Sequence, residues 1–215
     1  FAHLPAGEAK AQASLTYGGY TSLVYATGIL GGMIADRYLG YQRSIILGGL
    51  LMAVGCFMLL SPEIHLFLIG LAVIVAGNGL FKPNISTMVG KLYAPGDVRR
   101  DSGFTIFYMG INAGAFVAPL ITAVWIGANY GYKYGFLAAA IGMIFGIAVF
   151  QVRKGMLGHV GKSPAGREGW GPVLNVLVGA ILLVPVIYFL LSQSEILGVV
   201  LLALIGGAAE LGAAV

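Results

Sequence analysis

The stretch LFLIGLAVIVAGNGLFKPNISTMV, residues 66–89, decides the class of fold. A bilayer core about 30 Å thick is crossed by about 20 mostly apolar residues in helical form. This stretch supplies them with a single charge, Lys82. It lacks the strict alternation of a barrel strand and is about twice a barrel strand's length. Six further segments pass the same test, at 15–35, 44–60, 104–126, 134–150, 173–191 and 196–215. The expected fold class is therefore all-α, a polytopic membrane protein. Pro83, Pro119 and Pro185 fall inside spans. Kinks are expected there rather than breaks, because neighbouring helices satisfy the carbonyls that a proline frees.

Composition agrees. The chain is 59% hydrophobic and 9% charged, with a mean hydropathy of +0.92, against about 25% charged residues in soluble domains. Its 34 glycines suit helices whose backbones approach closely in lipid. The net charge of +4 is spread between apolar segments and forms no basic stripe, so the bilayer is the expected partner and nucleic acid is not. Cys56 lies alone inside a span, which excludes a disulfide framework or a Cys/His metal site. His3, His65 and His159 sit at segment edges or in loops, where solvated histidines are ordinary. Residues 1–10 read as a loop and not as a signal peptide.

Orientation follows from the loop cations. One side carries Arg37, Arg43, Lys91, Arg99, Arg100, Arg153, Lys154, Lys162 and Arg167, and the other only Lys10 and Lys133. Nine against two places the first side in the cytoplasm. Lys82 belongs to neither. Nine positions before Lys91, it lies about 13 Å inside the end of its span. Two readings are open: a snorkelling lysine whose stem packs on apolar neighbours, or a cation facing a hydrated substrate pathway.

Its surroundings favour the second. Asn78, Lys82 and Ser86 recur at i, i+4, i+8 and share one helical face. Tyr17, Thr21 and Tyr25 do the same on the first span, and Thr105, Tyr108 and Asn112 mark one side of the fourth. One such stripe is often no more than interhelical hydrogen bonding. Three, with a lysine, predict a shared polar interior.

A second constellation is the short connection GGMIADRYLGYQR, residues 31–43. Its glycines permit a close turn. Asp36 is placed to pair with Arg37, Arg43 or a helix N-terminus. Either this charge cluster holds an inner gate in one state, or it is a solvated turn that obeys the positive-inside rule.

This connection, with Gly32, Asp36, Arg37, Gly40 and Arg43 in pattern, resembles the loop motif of the major facilitator superfamily. Its ADRYLG form is similar to that of the proton-dependent oligopeptide transporters. The run FTIFYMGINAGAF, residues 104–116, resembles that family's second signature, and GLFKPNIS, residues 79–86, its fourth helix. The resemblance implies helices two to six of the N-terminal transport bundle over 11–154, a cytoplasmic linker over 155–172 and an extra transmembrane hairpin over 173–215. It implies a monomeric protein of the bacterial inner membrane that carries di- and tripeptides by proton-coupled symport and is not an enzyme. The proton is its coupling ion, with no other cofactor. Tyr25, Lys82, Asn112, Tyr108, Asn78 and Tyr17 are the implied substrate-binding residues, Lys82 the proton-coupling residue, and Gly32, Asp36, Arg37, Gly40 and Arg43 the gating loop. Glu195 and Glu210 read as interfacial. The family's first-helix Glu-x-x-Glu-Arg motif and its second six-helix bundle find no match here. The rival readings are another small solute on the same fold (nitrate, an amino acid or a conjugate) and a non-transporting receptor or assembly subunit.

Overall fold

The computed structural model describes residues 6–193. Helices α1 (Ala6–Ile34), α2 (Tyr41–Met58), α3 (Ile64–Lys91) and α4 (Arg99–Pro119) follow in order. A π-helical turn, Ala35–Leu39, joins the first two. After α4 the winding widens into a π-helical stretch, Leu120–Gly127, which closes in the short turn α5 (Ala128–Tyr130). Then come α6 (Tyr132–Arg153), a 3-10 turn Lys154–Leu157 and α7 (Gly171–Ser192). No strand occurs among the described residues. The segment 196–215, with Glu195, Glu210 and His3, lies outside them.

Among the described residues, five stretches are long and apolar enough to cross a membrane: Tyr41–Met58, Ile64–Lys91, Arg99–Tyr130, Tyr132–Leu157 and Gly171–Ser192. The expected span 15–35 is not among them, although it is helical to Ile34. Thr16, Tyr17, Thr21 and Ser22 lower its apolar content; packing beside α3 compensates. Pro83 and Pro185 leave α3 and α7 continuous. Pro119 does more than kink. It ends the α-helix, because its ring carries no N–H and crowds the preceding turn, and the chain goes on in wider winding.

Helix α3 is the centre, with α1, α2 and α7 packed on it and α6 on α2. Lipid tails are as apolar as leucine, so helix pairing in a membrane rests on close backbone approach and interhelical hydrogen bonds. Both are present. On the α2–α3 seam Gly48 faces Gly77 and Gly55 faces Gly70, two helical turns apart. Helix α1 runs parallel to α3 with Gly31 on the backbone of Gly79. Thr27 Oγ1 donates to the Val75 carbonyl at 3.2 Å, and Asn84 Nδ2 donates to that of Gly31 at 3.1 Å. Ile187 and Leu191 of α7 are buried against Leu68, Ala72 and Val75 of α3. His65 Nδ1 and the Tyr188 hydroxyl, 2.7 Å apart, join the outer ends of these two helices.

Helix α4 differs: none of its residues is buried. It meets α3 at the basic end, where Phe104 lies beside Gly90 and Tyr93 beside Gly103.

Candidate functional site

The Lys82 ammonium sits 4.5 Å from the centroid of the Tyr25 ring. The register between α1 and α3 shows what this means. Thr27 is bonded to Val75 and Gly31 touches Gly79, so the α1 residue level with Lys82 lies close to Ile34. Tyr25 is nine residues, about 13 Å, nearer the opposite surface. The lysine stem therefore runs toward the middle of the membrane, whereas a snorkelling lysine would run toward the basic surface. A cation over an aromatic face is held by the ring quadrupole, more strongly the less water surrounds it. Among the described residues no carboxylate lies within ion-pair distance of Lys82.

The stripes on α1 and α3 thus meet, but the third does not join them. Tyr17, Tyr108 and Asn112 are exposed, and Tyr108 stacks on Phe104 of its own helix, centroids 6.3 Å apart. The hydroxyls are also spent locally: Thr21 donates to the Tyr17 carbonyl at 2.9 Å, Ser86 to Lys82 at 3.3 Å and Thr105 to Asp101 at 2.9 Å. The expected three-helix interior is, over these residues, a two-helix pairing with α4 splayed from it. Asn78, one turn above Lys82, keeps its Oδ1 buried without a hydrogen-bond partner among the described residues.

The connecting loop corrects a second expectation. Asp36 pairs with neither Arg37 nor Arg43. Its carboxylate accepts from the Tyr41 hydroxyl, and the Tyr41 ring lies 4.5 Å under the Lys91 ammonium. Arg43 instead reaches across to the linker, donating to the carbonyls of Gly169 at 2.9 Å, Arg167 at 3.3 Å and Glu168. Gln42 Nε2 donates to Val160 at 2.7 Å and Ser163 Oγ to Leu39 at 2.7 Å. Gly40 takes φ 74°, favoured by glycine alone, and lies against the Lys162 backbone. Arg37 is exposed and Gly32 has open space around it. Near the start of α4, Asp97 is held at about 2, well below the usual carboxylate range, by hydrogen bonds from the Arg99 side chain and backbone. Their 2.8 Å contact is the one ion pair among the described residues.

The linker is thus clamped to the loop. Sequence reading missed this, along with the fully buried Asn84, because both depend on partners far along the chain. Replacing Arg43 by alanine is expected to speed trypsin cleavage at Lys162 and Arg167 in the purified protein. A half-exposed set of charge-assisted bonds gives an effect near about 1.4 kcal/mol, roughly tenfold in opening. Arg43→Lys should restore little, since an ammonium cannot fork across successive carbonyls. Equal cleavage of variant and parent would remove the clamp.

A family model described as POT family matches residues 42–181. The chain belongs to the POT family. The di-/tripeptide transporter of Lactococcus lactis subsp. lactis (strain IL1403) is 42% identical over 196 residues, which make up 88% of this POT chain and 39% of that protein. Dipeptide and tripeptide permease B of Shigella dysenteriae serotype 1 (strain Sd197) is 36% identical over 203 residues, 92% and 41% of the respective chains. Among solved structures, a bacterial homologue of the human drug peptide transporters PepT1 and PepT2 superposes with a TM-score of 0.80 at 29% identity, covering 94% of this chain and 46% of that one. A mutant peptide transporter in complex with alafosfalin gives 0.70 at 40% identity, covering 91% and 41%. The POT chain thus has the all-helical membrane fold that its motifs imply, and it spans about two fifths of the length of the curated relatives it matches.

Proposed function

We propose that the complete protein is a peptide:proton symporter of the bacterial inner membrane, working by alternating access. The observation that carries this reading is the Lys82 ammonium, drawn toward mid-membrane over Tyr25, in a chain whose relatives are named di- and tripeptide transporters. Charges inside a membrane are costly and mark substrate or ion pathways. Peptides are zwitterions: Lys82 attracts the C-terminal carboxylate, while Asn112 and Asn78 offer amides that read backbone groups whatever the side chain. Tyr17, Tyr25 and Tyr108 border the path. An acid contributed by another part of the protein exchanges between Lys82 and the coupling proton, so no other cofactor is needed. The protein works as a monomer, with Gly32, Asp36, Arg37, Gly40 and Arg43 gating the cytoplasmic side. There the Asp36–Tyr41 and Arg43–linker bonds are contacts that a rocking bundle must keep or break.

The test is uptake of a labelled dipeptide by proteoliposomes containing the complete protein, with and without an inward proton gradient. Accumulation that needs the gradient, and is competed by di- and tripeptides but not by free amino acids, is the expected result. Flux indifferent to the gradient would discard the coupling, and no peptide effect would point to another cargo.

A further inference from the structure

A cleft of about 610 Å³ lies between α1, α3 and α7, apart from Lys82 and Tyr25. We infer that it binds one anionic phospholipid from the leaflet on the basic side, its phosphate at Arg37 and Arg167 and one acyl chain in the cleft.

The distribution of polarity along the cleft carries this. Its walls are mainly apolar side chains such as Leu30, Ile34, Leu80 and Leu183, while both guanidinium groups stand at one end, beside Tyr38 and Pro172. Within the walls, the Thr27 hydroxyl is already bonded to the Leu23 and Val75 carbonyls, which leaves Asn175 as the polar side chain on offer. A peptide would need partners along its whole length; an amphiphile needs them at one end.

The dimensions agree. From Arg37 to Thr27 is ten residues of helical path and from Pro172 to Leu183 eleven, each about 15 Å at 1.5 Å per residue. That is half of a hydrocarbon core about 30 Å thick, the depth of one leaflet. The cleft opens at the level where the loop cations lie, and Trp170 is almost fully exposed there, as aromatic residues at the headgroup level commonly are.

The charges are placed for a phosphate. Arg167 holds its guanidinium 4.1 Å from the Tyr38 ring centroid, which fixes the group at the mouth, and a guanidinium over an aromatic face keeps its N–H donors for an anion. Neither Arg37 nor Arg167 has a carboxylate partner among the described residues. An anionic headgroup supplies that complement, and a zwitterionic one supplies it less well because its own cation competes.

The experiment is native mass spectrometry of the complete protein titrated with phosphatidylglycerol or with phosphatidylcholine of the same chains. Two variants are compared with the parent. Arg37→Gln with Arg167→Gln removes the headgroup site. Gly179→Phe fills the acyl cleft, and a side chain there starts in open space, with nothing within 4 Å of its Cβ. The expected result is a preference for phosphatidylglycerol of roughly tenfold, abolished in the double variant, and weaker retention of both lipids in Gly179→Phe. Equal retention of the two lipids by the parent, a preference that survives loss of both arginines, or retention unaffected by Gly179→Phe would each overturn the assignment. The readout is lipid retained, so it stands or falls independently of peptide transport.

Discussion

Replacing Lys82 by alanine in the complete protein is expected to reduce gradient-driven accumulation of a labelled dipeptide to the level of empty liposomes, while peptide-for-peptide exchange persists. The two activities separate because exchange needs a cavity that opens to each side in turn, whereas accumulation also needs the cation against which the proton-carrying acid exchanges. Lys82 is the cation of the described spans whose ammonium reaches inward over Tyr25. Lys82→Arg sharpens the test. Arginine keeps the positive charge against which the acid exchanges and the stacking on Tyr25, so exchange is expected to survive and accumulation to be retained in part. Tyr25→Phe keeps a ring beneath the ammonium and should lose little. Tyr25→Leu removes it, with a loss of about 0.5–1 kcal/mol, because the ring is 64% exposed. Unchanged uphill uptake in Lys82→Ala would sink the coupling role.

The second large effect concerns folding. Gly77→Leu is expected to destabilise the helical bundle by about 3 kcal/mol, at the upper end for overpacking a well-filled core. A Cβ at Gly77 would stand 2.6 Å from the Gly48 carbonyl oxygen and 2.9 Å from the Met52 backbone nitrogen. Backbone atoms of a packed helix cannot turn aside as a flexible side chain can, so α2 and α3 must separate and give up the facing pair at Gly55 and Gly70. The measurement is thermal unfolding of the detergent-solubilised protein, where a fall of about 5 °C or more is expected. Gly146→Leu, on α6, is the control: a Cβ there meets nothing within 4 Å, and the change should be near neutral. Similar effects at both positions would show that glycine itself, and not the seam, sets the stability.

These glycines show where sequence reading stops. Gly48 and Gly55 are seven apart, as are Gly70 and Gly77, and a matched spacing on adjacent spans is a legible sign of a close seam. The facing pairs are not legible, since they depend on the loop between the spans. Asn84 is similar. It stands close to Lys82, Ser86 and Thr87 in sequence, where a polar side chain draws no notice, and it lies off the face that Asn78, Lys82 and Ser86 share. Only the position of Gly31 on α1 explains why its amide is buried. In sequence Arg43 stands in a local charge cluster because Asp36 is close by. Its partners proved to be carbonyls more than a hundred residues away. The opposite failure occurred on α4, where a polar stripe suggested membership of a common interior and the helix stands apart with none of its residues buried.

The sequence by itself determined that this chain is an all-helical membrane protein, that the loop cations lie mainly on one side, and that Lys82 is a charge inside a span. Hydropathy, span length and the placement of cations are properties of single residues against their solvent, and they can be summed along the chain without knowing what touches what. Only the tertiary structure decided that Lys82 turns inward onto Tyr25, that the linker is clamped by Arg43, and that an apolar cleft beside α7 ends in two guanidinium groups. Each of these is a relation between helices, fixed by register and by which small residues allow backbones to meet. No property of one segment carries that information.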